Sequence, residues 1–467
     1  MTTTIHPQAW GLQTNEAGEL VMDGIRTLAL AEEYGTPLHI VHEQRLYETA
    51  LKFRESAEQS YPGKVTVHYP FKCNGVPGVI HILQQAGLHA EVMTPFELEL
   101  AQKAGFQEEE IIVNGPCKTD EFLHQCVCAG AKLIIVDSLE ELEALQRIAD
   151  QEDAAVNILL RINPDYVPKG MNDGSATGSR KGCAFGFDLK GSEIENALVM
   201  LEQNRSLSFR GLHFHIGTGI TRPADYVNAL RCLPSLLERI QDHDMRVRVL
   251  DVGGGFASST SREFNSLEML LYQAFGTLPT LDLQKHSSDF IDFTRAISDA
   301  VISSFPTGEL PELLYEPGRC IVSPNQLLLL TVHRMKTREG VGTWLITDGG
   351  VSTVTLPTFY EYHEVFLCND VTKLRTERVT LIGPACFAGD VIYRNKPMPP
   401  VRSGEILAVM DSGAYFTQLE SSFGFARPAI VGVNAGSHHL MRDRETFAQS
   451  IERDHLLFQE YQEEQVP

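Results

Sequence analysis

The chain has 467 residues, 43% hydrophobic and 21% charged, an ordinary globular composition with room for two domains. Its formal charge of −22 leaves little basic surface with which to release counterions from phosphates, so nucleic acid is not an expected partner. Nine scattered cysteines without a C-x-x-C pattern give neither a disulfide framework nor zinc-ribbon spacing.

The start, "MTTTIHPQAW", has no basic segment leading into an apolar one, so a signal peptide is not expected. No later run approaches the roughly 18–20 apolar residues of a membrane span. A cytoplasmic protein without a membrane partner is expected.

From residue 66 onward a rhythm sets in. Apolar strand-like runs occur at "TVHYPF" (66–71), "HAEVMT" (89–94), "EIIVNG" (110–115) and "KLIIVDS" (132–138). Four more follow at "NILLRINP" (157–164), "RGLHFHIG" (210–217), "VRVLDVGGG" (247–255) and "ELLYEPGR" (312–319). Between most of them lie stretches such as "SLEELEALQRIADQ", where apolar residues recur at three- and four-residue spacing. Strands alternating with helices predict parallel pairing, and eight of them close most economically as a (β/α)8 barrel over about residues 41–320. A doubly wound open sheet is the competing arrangement.

After Arg319 the rhythm changes. "QLLLLTVHRMKT", "GTWLITDGG", "ERVTLIGPAC" and "GEILAVMDSGAY" read as strands joined by turns, a mostly-β domain over 321–467. Residues 1–40 are expected to join it and lend it a strand. The connection 257–290 has no assigned role.

The unusual residue types fall at strand ends on one side of the expected barrel, where barrel enzymes place their chemistry. Lys72 follows strand one, Arg161 lies in strand five, and His213 and His215 end strand six. Gly253, Gly254 and Gly255 close strand seven, and Glu316, Gly318 and Arg319 close strand eight. Taken singly, each has a bland reading: a solvent lysine, a satisfied core histidine, a tight turn, a surface ion pair. The two histidines lack a third ligand at recognisable spacing, so no metal is expected. Taken together, glycine-rich turns after strands seven and eight form an anion site opposite an amine. A phosphorylated aldehyde held by a lysine fits that pair of features, which is the chemistry of pyridoxal 5′-phosphate.

At these residues the sequence resembles the fold-type III pyridoxal-phosphate decarboxylases, the group of diaminopimelate and ornithine decarboxylases. The resemblance runs from "YGTPLHIVH" (34–42) to "FARPAIV" (425–431), through "PFKCN", "GLHFHIGT", "DVGGGF", "YEPGR", "GPACFAGD" and "DSGAY". It implies an alanine racemase-like barrel, a C-terminal β domain, and a carboxy-lyase acting on an amino acid. By resemblance, Lys72 carries the cofactor, His215 stacks on its ring and Glu316 pairs with the ring nitrogen. Thr218, Gly253, Gly254, Gly255, Gly318, Arg319 and Tyr415 hold the phosphate. Glu91 lies beneath the cofactor, and Arg161 near its phenolic oxygen. Cys386 returns a proton to the substrate and, in this family, reaches the opposite subunit, so a homodimer with shared sites is implied.

The motifs "KGCAFGFDL" and "LPTFYEYHE" lean toward the diaminopimelate branch, yet two positions depart from it. Phe387 stands where that branch has an acidic residue for the distal ammonium, and Leu356 where it has an arginine for the distal carboxylate. The second segment is also one residue short before His363, which affects the placing of Tyr360. Phe387, Leu356, Tyr360 and Asp390 are the expected substrate-side residues. An unpaired buried ion costs several kcal/mol, so diaminopimelate is expected to be a poor substrate unless the 257–290 connection compensates. A racemase and a non-catalytic regulatory relative are the alternatives. Alanine racemases place an arginine at the ring nitrogen, so Glu316 favours decarboxylation.

Overall fold

The computed structural model describes residues 5–281, 283, 289–305, 308–355 and 361–455. Eight parallel strands form the barrel: Val65–Pro70, His89–Val92, Ile111–Val113, Leu133–Val136, Val156–Asn163, Leu207–His213, Val249–Asp251 and Glu312–Tyr315. The last pairs with the first, Leu313 opposite Val65 and Tyr315 opposite Val67, so the sheet is closed and the doubly wound alternative is excluded.

These strands are apolar on both faces because both are buried, one by helices and one by the barrel interior. Ile112, Leu133, Ile135, Leu159, Val249 and Leu314 form the interior cluster. One local device starts three of the helices. Thr94, Thr119 and Ser138 each accept the backbone N–H three residues on, capping Pro95–Lys103, Asp120–Cys128 and Leu139–Gln151. The stretch "ADYVNALRCLPSLLERIQDH" is two helices, Pro223–Ala229 and Leu233–Asp242, with a 3-10 turn between them. Pro234 lies at the start of the second, where its missing N–H is not needed.

The second domain is a sheet built on Gln326–Arg338. Leu38–His42 lies within it, antiparallel to Gln326–Arg338 and parallel to Ala429–Asn434. The 257–290 connection joins the two bodies. Its strand Arg262–Glu263 pairs with Glu361–Tyr362, and its helix Ser266–Phe275 sends Tyr272 into the sheet domain's core. Among the described residues no helix is long and apolar enough to cross a membrane.

Candidate active site

Strand one delivers Lys72 to the barrel mouth. Pro70 is in register with Glu91 on strand two, so the turn after Pro70 places the Lys72 ammonium beside that carboxylate. Lys72 Nζ donates to Glu91 Oε2 at 2.7 Å. Burial opposes the ammonium charge, but Glu91 and then Glu316 outweigh it and hold the Lys72 amine above its ordinary range. The turn is anchored to the sheet domain: Tyr415 N–H donates to Cys73 O at 2.8 Å, and Asn74 Nδ2 to Gly413 O at 2.9 Å. Motifs some 340 residues apart in "PFKCN" and "DSGAY" therefore meet.

Strands three, six, seven and eight supply a buried polar group. Asn114 Nδ2 lies 3.3 Å from His213 Nε2 and 3.4 Å from Glu316 Oε1. His213 Nε2 is 3.5 Å from the same Glu316 oxygen. Burial drives the His213 imidazole well below its ordinary range, so it is neutral. Burial likewise lowers His215 to about 3. His215 Nδ1 accepts the Gly254 N–H at 3.1 Å, which leaves its proton on Nε2.

The glycine turn is built for close approach. Gly253 has φ +65, and a Cβ there would lie 2.6 Å from Phe214 O. A Cβ on Gly254 would lie 2.0 Å from Glu316 O, and one on Gly255 2.0 Å from Gly217 O. A Cβ on Gly318 would press on Pro70 and Cys73 at 3.0–3.1 Å. No larger residue keeps this packing. Next to the turn, Arg319 Nε donates to Thr218 Oγ1 at 3.2 Å, and its guanidinium carbon lies 5.0 Å over the Tyr415 ring. Arg319 Nη1 also bonds buried Glu361, whose other oxygen meets His363 Nε2 at 3.2 Å. A cavity of about 250 Å³ adjoins this pair, lined in part by Glu263, Ser258 and Met171.

The structure thus gathers Lys72, Glu91, His215, Thr218, the glycines, Glu316, Gly318, Arg319 and Tyr415 around one mouth. Arg161 is fixed in the barrel, with Nη1 3.5 Å from Asp137 Oδ1 and its guanidinium 4.4 Å over the Phe185 ring. Cys386 and Phe387 are elsewhere, on an exposed loop of the sheet domain. Among the described residues, no hydrogen bond or ring contact ties them to the barrel. Phe387 packs on Phe423, ring centroids 6.0 Å apart. Asp390 is buried and accepts the N–H groups of Val351 at 2.6 Å and Ala385 at 2.8 Å. Its carboxylate therefore shapes the Cys386 loop, a different use from the substrate contact expected of it. Leu356 and Tyr360 lie outside the described residues.

Sequence reasoning missed Asn114, Asp137, Asp251 and Glu361. Asp251 carried a signal: an Asp two residues before a glycine turn commonly accepts its N–H, here at 2.8 Å from Gly253. Glu361 carried none, because its partner Arg319 is 42 residues away.

A lysine, a glycine cradle for an anion and a buried carboxylate between them define a site for a phosphorylated aldehyde cofactor. The family model for the pyridoxal-dependent decarboxylase pyridoxal-binding domain matches residues 48–323, and that for the family's C-terminal sheet domain matches 266–413. The chain belongs to the pyridoxal-dependent decarboxylase family: it is a carboxy-lyase for an amino acid, and its cofactor is pyridoxal 5′-phosphate.

Within that family it is similar to diaminopimelate decarboxylases. Identity is 28% to the Methanocaldococcus jannaschii enzyme, covering 94% of this chain and 97% of that one. It is also 28% to the Bacillus subtilis enzyme, covering 94% and 96%. The crystal structure of the M. jannaschii enzyme superposes with a TM-score of 0.83 at 26% identity, over 96% of this chain and 98% of that one.

Proposed function

We propose that this chain decarboxylates an amino acid, or an amino-acid conjugate, whose distal end differs from that of meso-diaminopimelate, and that it works as a homodimer with shared sites. The observation that carries the reading is Phe387, which follows Cys386 and is 53% exposed with its ring against Phe423. An aromatic pair there offers a distal ammonium a ring face in place of a carboxylate, a weaker partner than the ion pair it replaces. A second reading, diaminopimelate itself, is favoured by the end-to-end similarity to enzymes of that name.

The residues present fit the cofactor. Three consecutive glycines leave backbone where side chains would collide, and Lys72 stands ready as the amine. In this reading Gly253, Gly254, Gly255, Gly318, Thr218, Arg319 and Tyr415 would hold the phosphate, Lys72 would carry the aldehyde, and Glu91 and Arg161 would lie near it. The bound cofactor supplies an electron sink for the pair left on the substrate α-carbon when carbon dioxide departs. The Glu316 carboxylate would pair with the ring nitrogen and hold a proton there. Neutral His215 would lie against the ring without adding charge. Cys386 Sγ of the partner subunit gives a proton to the α-carbon, which accounts for its exposure on a single chain. Asp390 holds the Cys386 loop in shape. The barrel of about residues 41–320 would bind the cofactor, the β domain of 321–467 would complete the site, and 1–40 would join that domain, which the seating of Leu38–His42 in its sheet supports.

The test is carbon dioxide release by the cofactor-loaded protein across a panel of amino acids and conjugates, with the oligomer measured by sedimentation. Release from a substrate other than diaminopimelate, by a dimer, is expected. Response to diaminopimelate alone would overturn the substrate reading, and an active monomer the shared site. Inverted substrate without carbon dioxide would mark a racemase.

A further inference from the structure

Asp251 has no part in the reactions above, yet it is fully buried at the end of strand seven, one strand from Glu316. Its Oδ1 accepts the Gly253 N–H at 2.8 Å, while its Oδ2 is buried without a recorded partner. Polar atoms of Asp251, His213 and Glu316 lie within 4.8 Å of one another. The surroundings are crowded with acid. Glu91 and Glu316 are also buried, and the ammonium of Lys72 is bonded to Glu91. Arg161 is drawn to Asp137 on the neighbouring strand. His213 and His215 are neutral, and Asn114 carries no charge. The Lys72 ammonium reaches Glu316 only after Glu91, so two ionised carboxylates side by side in this place would repel, and one of them keeps its proton.

We propose that Asp251 is that neutral group, a positioning residue whose Oδ1 accepts the Gly253 N–H and whose Oδ2–H donates to Glu316. The inference rests on the reading of Glu316 as the partner of the ring nitrogen. That reading gives the charge to Glu316, and Asp251 is the one with an orphaned oxygen that a proton would satisfy. Burial first, and the Glu316 charge second, push the Asp251 carboxyl well above its ordinary range. One side chain thereby sets both the glycine turn at the phosphate end and the charge at the nitrogen end.

The test starts with the protein free of cofactor. Infrared spectra at neutral pH are expected to show a protonated carboxyl C=O stretch that disappears in Asp251→Asn. In the loaded enzyme, Asp251→Leu is expected to lose kcat by about 10–100-fold, the value of one hydrogen bond to a charged group. Asp251→Asn, which keeps an acceptor for Gly253 and a donor for Glu316, is expected to recover all but about threefold of that loss. The proposal is overturned if the carboxyl signal is missing or survives in Asp251→Asn, or if Asn performs no better than Leu. Should the Leu variant fail to fold, the infrared pair decides. Borohydride fixation of cofactor at Lys72 is read in the same preparations, so failure of the cofactor site is seen separately from failure of the Asp251 proton.

Discussion

Arg319, at the end of barrel strand eight, is bonded to Glu361, which the strand pair Arg262–Glu263 and Glu361–Tyr362 brings in from the sheet domain. Both side chains are at most 5% exposed. Removing one member of a buried pair strands the other, at about 3–5 kcal/mol. Glu361→Ala should lower unfolding free energy by that order, and Glu361→Gln by less, in denaturant titrations. Glu361→Gln also releases the guanidinium. Freed toward the phosphate, it should tighten cofactor binding by about tenfold, one decade for each 1.4 kcal/mol. An unchanged cofactor affinity would remove Arg319 from the phosphate site.

Lys72 and Glu91 make the second test. Lys72→Ala should abolish carbon dioxide release and borohydride fixation of the cofactor. It also leaves Glu91 buried without its donor, at about 1–3 kcal/mol. The double variant Lys72→Ala/Glu91→Gln should regain that stability and none of the activity. Turnover by either variant would show that the amine lies elsewhere.

Phe387 sets the third. Phe387→Glu places a carboxylate next to Cys386. A charge-assisted hydrogen bond to a distal ammonium is worth about 1.5–3 kcal/mol, so kcat/KM for diamino acids should rise about 10–100-fold over wild type. Competition between a diamino acid and an apolar amino acid measures the change directly. No gain would mean that this ring is not at the substrate.

The buried histidines set the pH dependence of stability. Burial lowers both His39 and His215 to about 3, against an ordinary value of 6.5. Between these values the unfolded chain binds protons that the folded chain refuses, so stability falls as pH falls from about 6.5 toward 3. Each such histidine contributes up to about 1.4 kcal/mol per pH unit. From pH 7 to pH 5 the cofactor-free protein should lose about 2 kcal/mol per histidine. His39→Gln should remove one share of that loss. Equal denaturant midpoints for variant and wild type at both pH values would contradict the neutral buried state.

The alternation of apolar runs with helical stretches determined a parallel α/β sheet, because parallel strands buried on both faces must read as apolar throughout, while its closure into a barrel was decided by the pairing of Leu313 with Val65. The glycines of "DVGGGF", the lysine of "PFKCN" and the acid of "YEPGR" were legible for a similar reason: each is an unusual residue type at a strand end, where local geometry decides its use. What the sequence did not determine were pairings across long separations. Arg319 with Glu361, Asn114 with Glu316 and the turn of Lys72 with Tyr415 depend on how strands and domains are laid side by side, and no local spacing encodes that. The same is true of Asp390, whose carboxylate accepts the backbone amides of Val351 and Ala385. Buried charge is settled by its neighbours in space, so the protonation and partners of this site belonged to the tertiary structure alone.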